Sequence, residues 1–321
     1  MFIGLLGGAA AWPLAAWAQQ SAMPVIGFLH SASPDGQAVY VAAFREGLRQ
    51  TGNVEGRDVT LEFSWANNRN DQLRALATDF VQRQVAVISA LSNASVFAAK
   101  AVTSTIPIVF AGSLDPVADG LVASLNQPGG NVTGVTTLNV ELGPKRVELL
   151  HVLMPPSASI AVLINPTNPV AESDTRNVEE AARTVGRQIH ILHASSERDF
   201  DSVFATLAQV RAGALLIVSD NFFNSRIERL AALTMRHAVP AIYQYRQFAA
   251  AGGLMSYGGS LEELYRQVGI YTGRILKGAT PGELPVQQLS RIGLIINLKS
   301  ARALGLTIPT SLLVRADEVI E

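Results

Sequence analysis

The feature that most constrains the fold is an order of strand and helix patterns that occurs twice. A short apolar strand opens each half, in PVIGFLHSASPD (24–35) and in SIAVLINPTNPV (159–170). Helix patterns at 39–50 and 71–82 in the first half correspond to those at 171–185 and 200–209 in the second. Later strands also match, VAVISALSNAS with ALLIVSDNFFN and IPIVFAGSLDP with VPAIYQYRQF. Alternation of this kind predicts right-handed βαβ units, and hence an α/β fold with two similar Rossmann-like lobes on parallel sheets.

Composition excludes several classes of function. Hydrophobic residues make up 48% of the 321 residues and charged residues 16%, which is typical of a well-packed globular chain. A net charge of −1 provides no basic surface for nucleic acid, and the absence of cysteine excludes disulfides and thiolate chemistry. No phosphate-binding, dinucleotide-binding, serine-hydrolase or zinc-protease motif is found, so the sequence predicts a non-enzyme with neither cofactor nor metal.

The first residues have the character of an export signal. The apolar stretch FIGLLGGAAAWPLAAWAQQ contains an A-x-A-like site, which predicts a signal peptide at 1–18, cleaved after Ala18. No Lys or Arg precedes Phe2. We therefore expect the tail of a twin-arginine signal with a truncated start, and a periplasmic mature protein that begins near Gln19.

Small polar residues gather where the predicted strands end. The loops are HSASPD, LSNAS and AGSLDP in the first half, and NPTNP, SDNFF and YQYRQF in the second. In open parallel sheets, ligands bind beyond the carboxyl ends of the strands, beside helix N-termini that receive anions. Plain helix capping is the alternative for any one Ser or Asn. Of the five histidines, His30 is the candidate for lining the crevice because it ends the first strand.

Several stretches resemble one protein family. PVIGFLH, SNAS, IPIVFAGSLDPVADGLVASLNQPGGNVTGV, KRVELLHVLMP, IAVLINPTNP and IPTSLLVRADEVIE are similar to ABC transporter solute-binding proteins related to the tryptophan and aromatic amino-acid binding group. The resemblance implies a type I periplasmic-binding (Venus-flytrap) fold, a monomer that closes on a small solute, and partners in a membrane permease and an ATPase. It places the ligand-binding positions at Ser31, Ser33, Asn93, Ala94, Ser95, Ser113, Asp115, Thr137, Asn165, Asn168, Asp220 and Tyr243.

The expected lobes are each assembled from two segments. Lobe one takes 23–138 plus 252–278, and lobe two takes 139–251 plus 280–321. LKGATPGELPVQQ, which is rich in Pro and Gly, is interpreted as the third connection between the lobes.

The leading hypothesis is a binding protein that captures an amino acid or aromatic acid by hinge closure. For an amino-acid ligand, the Asn93–Ser95 backbone would hold the carboxylate and Asp220 the ammonium, unless Asp220 is only a helix cap. Phe222, Phe223 or Tyr243 would stack on an aromatic ligand or belong to the lobe core. The alternatives are the ligand-sensing domain of a receptor and a two-domain enzyme such as a cysteine-free racemase.

Overall fold

The computed structural model describes residues 23–137 and 139–321, so the predicted signal peptide and its cleavage site lie outside the described residues. Thirteen strands are formed within this part of the chain. They are β1 (Val25–His30), β2 (Thr60–Trp65), β3 (Val87–Ala90), β4 (Ile108–Gly112), β5 (Val132–Thr136), β6 (Ile160–Ile164), β7 (Ile189–His193), β8 (Ala214–Ile217), β9 (Ala241–Tyr243), β10 (Met255–Gly258), β11 (Gln287–Gln288), β12 (Gly293–Asn297) and β13 (Glu318–Ile320).

Twelve α-helices accompany the strands in the same described ranges. They are α1 (Ala38–Gln50), α2 (Leu73–Gln82), α3 (Asn93–Lys100), α4 (Asn139–Leu153), α5 (Ala171–Thr184), α6 (Asp199–Gln209), α7 (Asn221–Asn224), α8 (Ile227–Arg236), α9 (Arg246–Ala250), α10 (Leu261–Leu276), α11 (Leu298–Ala303) and α12 (Thr310–Leu313). The helices predicted at 39–50, 71–82, 171–185 and 200–209 are confirmed to within about two residues at each end, the usual uncertainty of helix boundaries.

The strands form two separate sheets, as predicted. The first sheet has the order β11-β5-β4-β3-β1-β2 and the second β13-β12-β10-β9-β8-β6-β7. Neighbouring strands pair in parallel except for the antiparallel pair β10 and β12. The central strands β3, β4, β6 and β8 are buried along their whole length, since helices cover both faces of a parallel sheet.

The chain passes between the lobes three times within the described ranges. The passages lie between β5 and α4, between β10 and α10, and between β11 and β12. Helix α10 packs on α1 and on the first sheet, although the strand before it belongs to the second sheet. Residues of α10 are therefore brought to the cleft from a segment far along the chain.

Two segments differ from the predicted lobe boundaries. The prediction placed 252–278 in lobe one, but β10 pairs with β9 and β12, so 255–258 belongs to the second sheet. It placed 280–321 in lobe two, but β11 pairs with β5 at the edge of the first sheet. Strand–helix alternation continues unbroken through 255–276 and carries no signal of the passage, and a two-residue strand has too little pattern to be recognised.

The close packing of α1 against α10 depends on glycines. A Cβ at Gly269 would lie 2.1 Å from the Phe44 carbonyl oxygen, and one at Gly47 would lie 1.9 Å from the Arg266 carbonyl oxygen. Because neither helix carries a side chain at these contacts, their backbones approach closely. This contact fixes the position of α10, and with it the residues that α10 presents to the cleft.

Candidate functional site

A polar compartment opens between the lobes at the carboxyl ends of the strands. It has a volume of about 340 Å³ including its open mouth, and amide and hydroxyl side chains dominate its walls. We name it the asparagine compartment. Its lining residues are Ser31, Asn68, Asn70, Asn93 and Ala94 from the first lobe, and Asn165, Thr167, Asn168, Ser195, Asp220, Asn221 and Phe222 from the second.

A second compartment of about 320 Å³ adjoins the first and shares Asn93, Asp220 and Asn221 with it. Its other walls are more apolar and include two tyrosines, so we name it the tyrosine compartment. Those other lining residues are Leu91, Ser92, Ala111, Gly112, Ser113, Ser219, Asn224, Tyr245, Leu261, Leu264 and Tyr265. One end of the cleft is therefore suited to charged and polar groups, and the other to an apolar group.

Direct hydrogen bonds join the two lobes across this cleft. Ser219 Oγ donates to Ser113 Oγ at 2.9 Å. Asn70 Nδ2 donates to the Thr167 carbonyl oxygen at 3.2 Å. The two lobes are thus joined directly at both compartments.

The buried carboxylate of Asp220 lies between the two compartments. Its Oδ1 accepts from Asn165 Nδ2 at 3.0 Å and from the Phe222 backbone N–H at 2.8 Å, and its Oδ2 accepts from Asn168 Nδ2 at 2.9 Å. Burial raises the pKa of Asp220, and these hydrogen bonds oppose that shift. The Phe223 backbone N–H is a further donor to this carboxylate, so protein groups satisfy most of its acceptor capacity.

The start of α3 is built from capping residues that also face the cleft. Ser92 caps the helix by accepting from the Ser95 backbone N–H at 3.0 Å. Asn93 Oδ1 accepts from the Ser113 backbone N–H at 3.0 Å, which connects the loops after β3 and β4. The N–H groups of Asn93 and Ala94 have no acceptor within α3, because the first turn of a helix leaves them free. They remain available to an anionic group at this edge.

The structure brings seven of the twelve predicted site residues to the cleft. Six line the asparagine compartment, and Ser113 lines the tyrosine compartment. The six are Ser31, Asn93, Ala94, Asn165, Asn168 and Asp220. That these residues bind a ligand stays a prediction.

The other five predicted residues do not line either compartment. Ser95 is fully buried against Ser92, and Ser33 is half-buried in the loop after β1. Asp115 caps its own turn by accepting from the Val117 and Ala118 backbone N–H groups. Thr137 is buried directly after the end of β5. Tyr243 is in the core, where its hydroxyl donates to Asn224 Oδ1 at 2.6 Å. Position in a loop at the correct sheet edge does not fix where a side chain points.

Sequence reasoning missed several lining residues, for different reasons. Asn68 and Asn70 lie in the loop WANNRN after β2, and Asn68 has φ of 64°, a conformation that asparagine tolerates better than most residues. Thr167 and Ser195 follow β6 and β7, so an inspection of every strand end would have found all four. Tyr265 had no such signal, because it lies within α10 and not in a loop. Of the proposed aromatic contacts, Phe222 lines the cleft, whereas Phe223 is in the core.

His30 lies behind the cleft wall and does not line it. The side chain is 1% exposed, and burial lowers its pKa to about 3. Its Nδ1 accepts from the Ala32 backbone N–H at 2.9 Å, and its Nε2 lies 2.7 Å from the hydroxyl oxygen of Tyr265. The prediction that His30 lines the crevice is therefore wrong. The residue that lines it is Tyr265, the hydrogen-bond partner of His30.

Two further observations concern the described residues only. No group of three or more His, Asp or Glu side chains in them is arranged to hold a metal ion. None of their helices combines the length and the apolar character needed to cross a bilayer.

Two α/β lobes with a small polar cleft between them define a bilobal binding protein for small ligands. The chain belongs to the family of ABC transporter substrate binding proteins, whose family model matches residues 25–320. This confirms the resemblance found in the sequence and the type I periplasmic-binding fold that it implies. Two of its relatives are named as binding proteins, one for tyrosine and one for a substrate that is not specified.

A curated relative and three solved structures show the same similarity. A tyrosine-binding protein of Clostridioides difficile (strain R20291) is 26% identical over 264 residues, covering 82% of this chain and 75% of the relative. A conserved domain protein from Vibrio cholerae has a TM-score of 0.84 at 28% identity, covering 92% of this chain and 99% of that one.

The other two structures support the fold. An ABC domain from Streptococcus pneumonia in complex with L-Trp has a TM-score of 0.81 at 24% identity. The ligand-free, open structure of a substrate binding protein with adhesive properties from Clostridium difficile has a TM-score of 0.63, also at 24% identity. Each covers 92% of this chain and 99% of the other.

Proposed function

We propose that this protein is the extracytoplasmic solute-binding component of an ABC importer and that it captures an amino acid between its lobes. The observation that carries the proposal is a buried carboxylate, Asp220, that lines the same cleft between the lobes as the free N–H groups at the start of α3. An amino acid has an ammonium and a carboxylate a few ångströms apart. Asp220 and the start of α3 both line the asparagine compartment and have the complementary chemistry for this pair.

The ammonium would lie beside Asp220, which lines the asparagine compartment, and would pair with its negative charge. A desolvated carboxylate benefits from an opposite charge, because that charge compensates for the solvation lost on burial. The ligand carboxylate would accept from the backbone N–H groups of Asn93 and Ala94, with the partial positive charge of the α3 N-terminus adding to the attraction. The tyrosine compartment would then receive the ligand side chain.

Closure couples binding to delivery. A ligand held by residues of both lobes stabilises the closed form by its differential affinity for that form. The Ser219 to Ser113 hydrogen bond between the lobes supports a closed form in which these two residues meet. The better superposition on the L-Trp-bound relative than on the open, ligand-free one supports the same interpretation. The closed, monomeric protein would dock on a permease and ATPase pair, act in the periplasm, and perform no catalysis.

A ligand panel tests the proposal. Thermal shift of the mature protein against the twenty amino acids, aromatic acids and sugars should give stabilisation by at least one amino acid. A ligand at 100 times its Kd adds about 2.7 kcal/mol to the free energy of unfolding, which is readily detected. Stabilisation by sugars alone, or by no member of the panel, would reject an amino-acid ligand. Neighbouring genes separate transport from sensing, since a permease and an ATPase indicate import, whereas a kinase or cyclase indicates a receptor.

A further inference from the structure

The buried pair His30 and Tyr265 places a hydrogen-bonded hydroxyl on a residue that lines the cleft. Tyr265 lines the tyrosine compartment and is 3% exposed, and His30 packs behind it in the first lobe. The two residues are 235 positions apart in sequence, and His30 Nε2 lies 2.7 Å from the hydroxyl oxygen of Tyr265. What this pair does in the binding cycle depends on which of the two groups donates.

The backbone of Ala32 settles the direction of that hydrogen bond. Its N–H can only donate, so His30 Nδ1, at 2.9 Å, accepts and carries no proton. The single proton of the neutral imidazole is therefore on Nε2, which donates to the hydroxyl oxygen of Tyr265. Burial keeps His30 neutral, with a pKa lowered to about 3.

The hydroxyl proton of Tyr265 is left without a protein acceptor. In the part of the chain that the structure describes, His30 is the only group within hydrogen-bonding distance of this hydroxyl. Leu91, Leu261 and Leu264 line the same compartment and offer no acceptor. Polar side chains also line it, and the oxygens of four of them accept from other protein donors, namely Asn93, Ser113, Asp220 and Asn224. A buried donor without a partner costs about 1–3 kcal/mol, so an occupant that supplies an acceptor is favoured.

We propose that Tyr265 donates this hydrogen bond to a neutral oxygen acceptor at the end of an apolar ligand side chain, with His30 as the positioning residue. The inference rests on the proposed function and names the class of amino acid, one with an oxygen on an apolar side chain. An all-hydrocarbon side chain leaves the donor unpaired. A side chain that only donates, such as an indole N–H, leaves it unpaired as well.

The pair L-tyrosine and L-phenylalanine provides the probe, because the two differ by one hydroxyl group. Calorimetric titration of the mature wild-type protein should give tighter binding of L-tyrosine, by roughly 5- to 100-fold. Tyr265→Phe should reduce this ratio to about twofold or less, chiefly through weaker binding of L-tyrosine. The unpaired His30 N–H lowers the stability of this variant, but that loss affects both affinities equally and therefore cancels in their ratio.

Tyr40→Phe is the matched control. Tyr40 packs against Tyr265 with ring centroids 5.3 Å apart but lines neither compartment, so its loss should leave the ratio unchanged. His30→Leu should lower the ratio, and His30→Gln, which keeps an N–H donor, should restore part of it. A positioning role predicts that rescue, whereas loss of packing alone does not.

The outcomes separate the two proposals. A ratio that survives Tyr265→Phe overturns the inference and leaves the proposed function standing. Binding of other amino acids but neither probe also overturns it, and again leaves the function intact. If none of the twenty amino acids binds to the wild-type protein, the proposed function fails, and the inference fails with it.

Discussion

The carboxylate of Asp220 is at once a helix cap and part of the cleft wall, and substitution can separate the two roles. Asp220→Asn retains Oδ1, which accepts from Phe222 and Asn165, but replaces Oδ2, the acceptor for Asn168. We expect a stability loss of about 1 kcal/mol from that one hydrogen bond. Losing the charge partner of a ligand ammonium costs about 2–5 kcal/mol, a roughly 30-fold or greater loss of amino-acid affinity.

Calorimetric titration of the cognate amino acid measures this effect directly. Asp115→Asn is the matched control, because Asp115 also accepts backbone N–H groups but lies outside the cleft lining. Its affinity for the ligand should be that of the wild type. Wild-type affinity in Asp220→Asn would mean that Asp220 is only a cap.

The buried Asp174 on α5 predicts a dependence of stability on pH. Burial raises its pKa from 3.8 to about 7, against the opposing charge of Arg146 and with smaller contributions from Asp220 and Asp119. The folded state therefore keeps a proton that the unfolded state loses near pH 4. Protonated Asp174 therefore contributes roughly 2–4 kcal/mol to the free energy of unfolding. The contribution is fully present below about pH 4 and is lost as the pH rises to about 7.

His30 acts in the opposite sense, since a pKa lowered from 6.5 to about 3 makes stability rise with pH across that interval. Comparing Asp174→Asn with wild type at each pH cancels this contribution. Denaturant unfolding should be measured from pH 4 to 8. As the pH rises, the wild type should lose stability relative to Asp174→Asn, so the free energy of unfolding of the variant minus that of the wild type should increase. A difference that stays constant with pH would show that Asp174 does not titrate in this range.

At the scale of single elements, the contact between α1 and α10 sets the geometry of the cleft. A Cβ at Gly269 would meet the Phe44 carbonyl oxygen at 2.1 Å, and backbone cannot move aside as a flexible side chain can. Gly269→Ala should therefore destabilise the protein by roughly 1–3 kcal/mol, the usual cost of overpacking. It should also weaken ligand binding, because α10 carries Leu261, Leu264 and Tyr265.

Gly130→Ala provides the control for Gly269→Ala, since a Cβ there meets nothing within 4 Å and its φ is not in the left-handed region. Its melting temperature and affinity should match those of the wild type. If Gly269→Ala behaved like Gly130→Ala, the close contact would not limit the position of α10.

Elements were predictable from sequence where the signal is local. Strand–helix alternation and apolar runs such as Ile160–Ile164 depend on neighbouring residues, and the predicted helices lie where they were expected. The passages between the lobes were not predictable, because only long-range contacts show them. Strand pairing places β10 in the second sheet, and packing on α1 and the first sheet places α10 in the other lobe. Tyr265 was missed for the same reason. Its place in the cleft depends on a helix that reaches the site through long-range packing.

On the scale of the whole molecule, closure should be visible as a change in size. A compact chain of about 300 residues has a radius of gyration of about 19 Å, and separating two lobes increases it. Small-angle scattering of the mature protein should show the radius falling toward that value when the cognate amino acid is added. An unchanged radius at saturating ligand would argue against a hinge mechanism.

Removing the hydrogen bond from Ser219 to Ser113 tests whether this contact between the lobes stabilises the closed form in the absence of ligand. Ser219→Ala leaves Ser113 without this donor, so the equilibrium should shift toward the open form by about 1 kcal/mol, or roughly fivefold. The ligand-free radius should then increase, while the radius at saturating ligand stays the same, because bound ligand bridges the lobes independently of this contact. Ser202→Ala, whose hydroxyl bonds only within α6, should change neither radius. If Ser219→Ala leaves the ligand-free radius unchanged, this hydrogen bond does not stabilise closure, and the bridging ligand must supply the whole preference for the closed form.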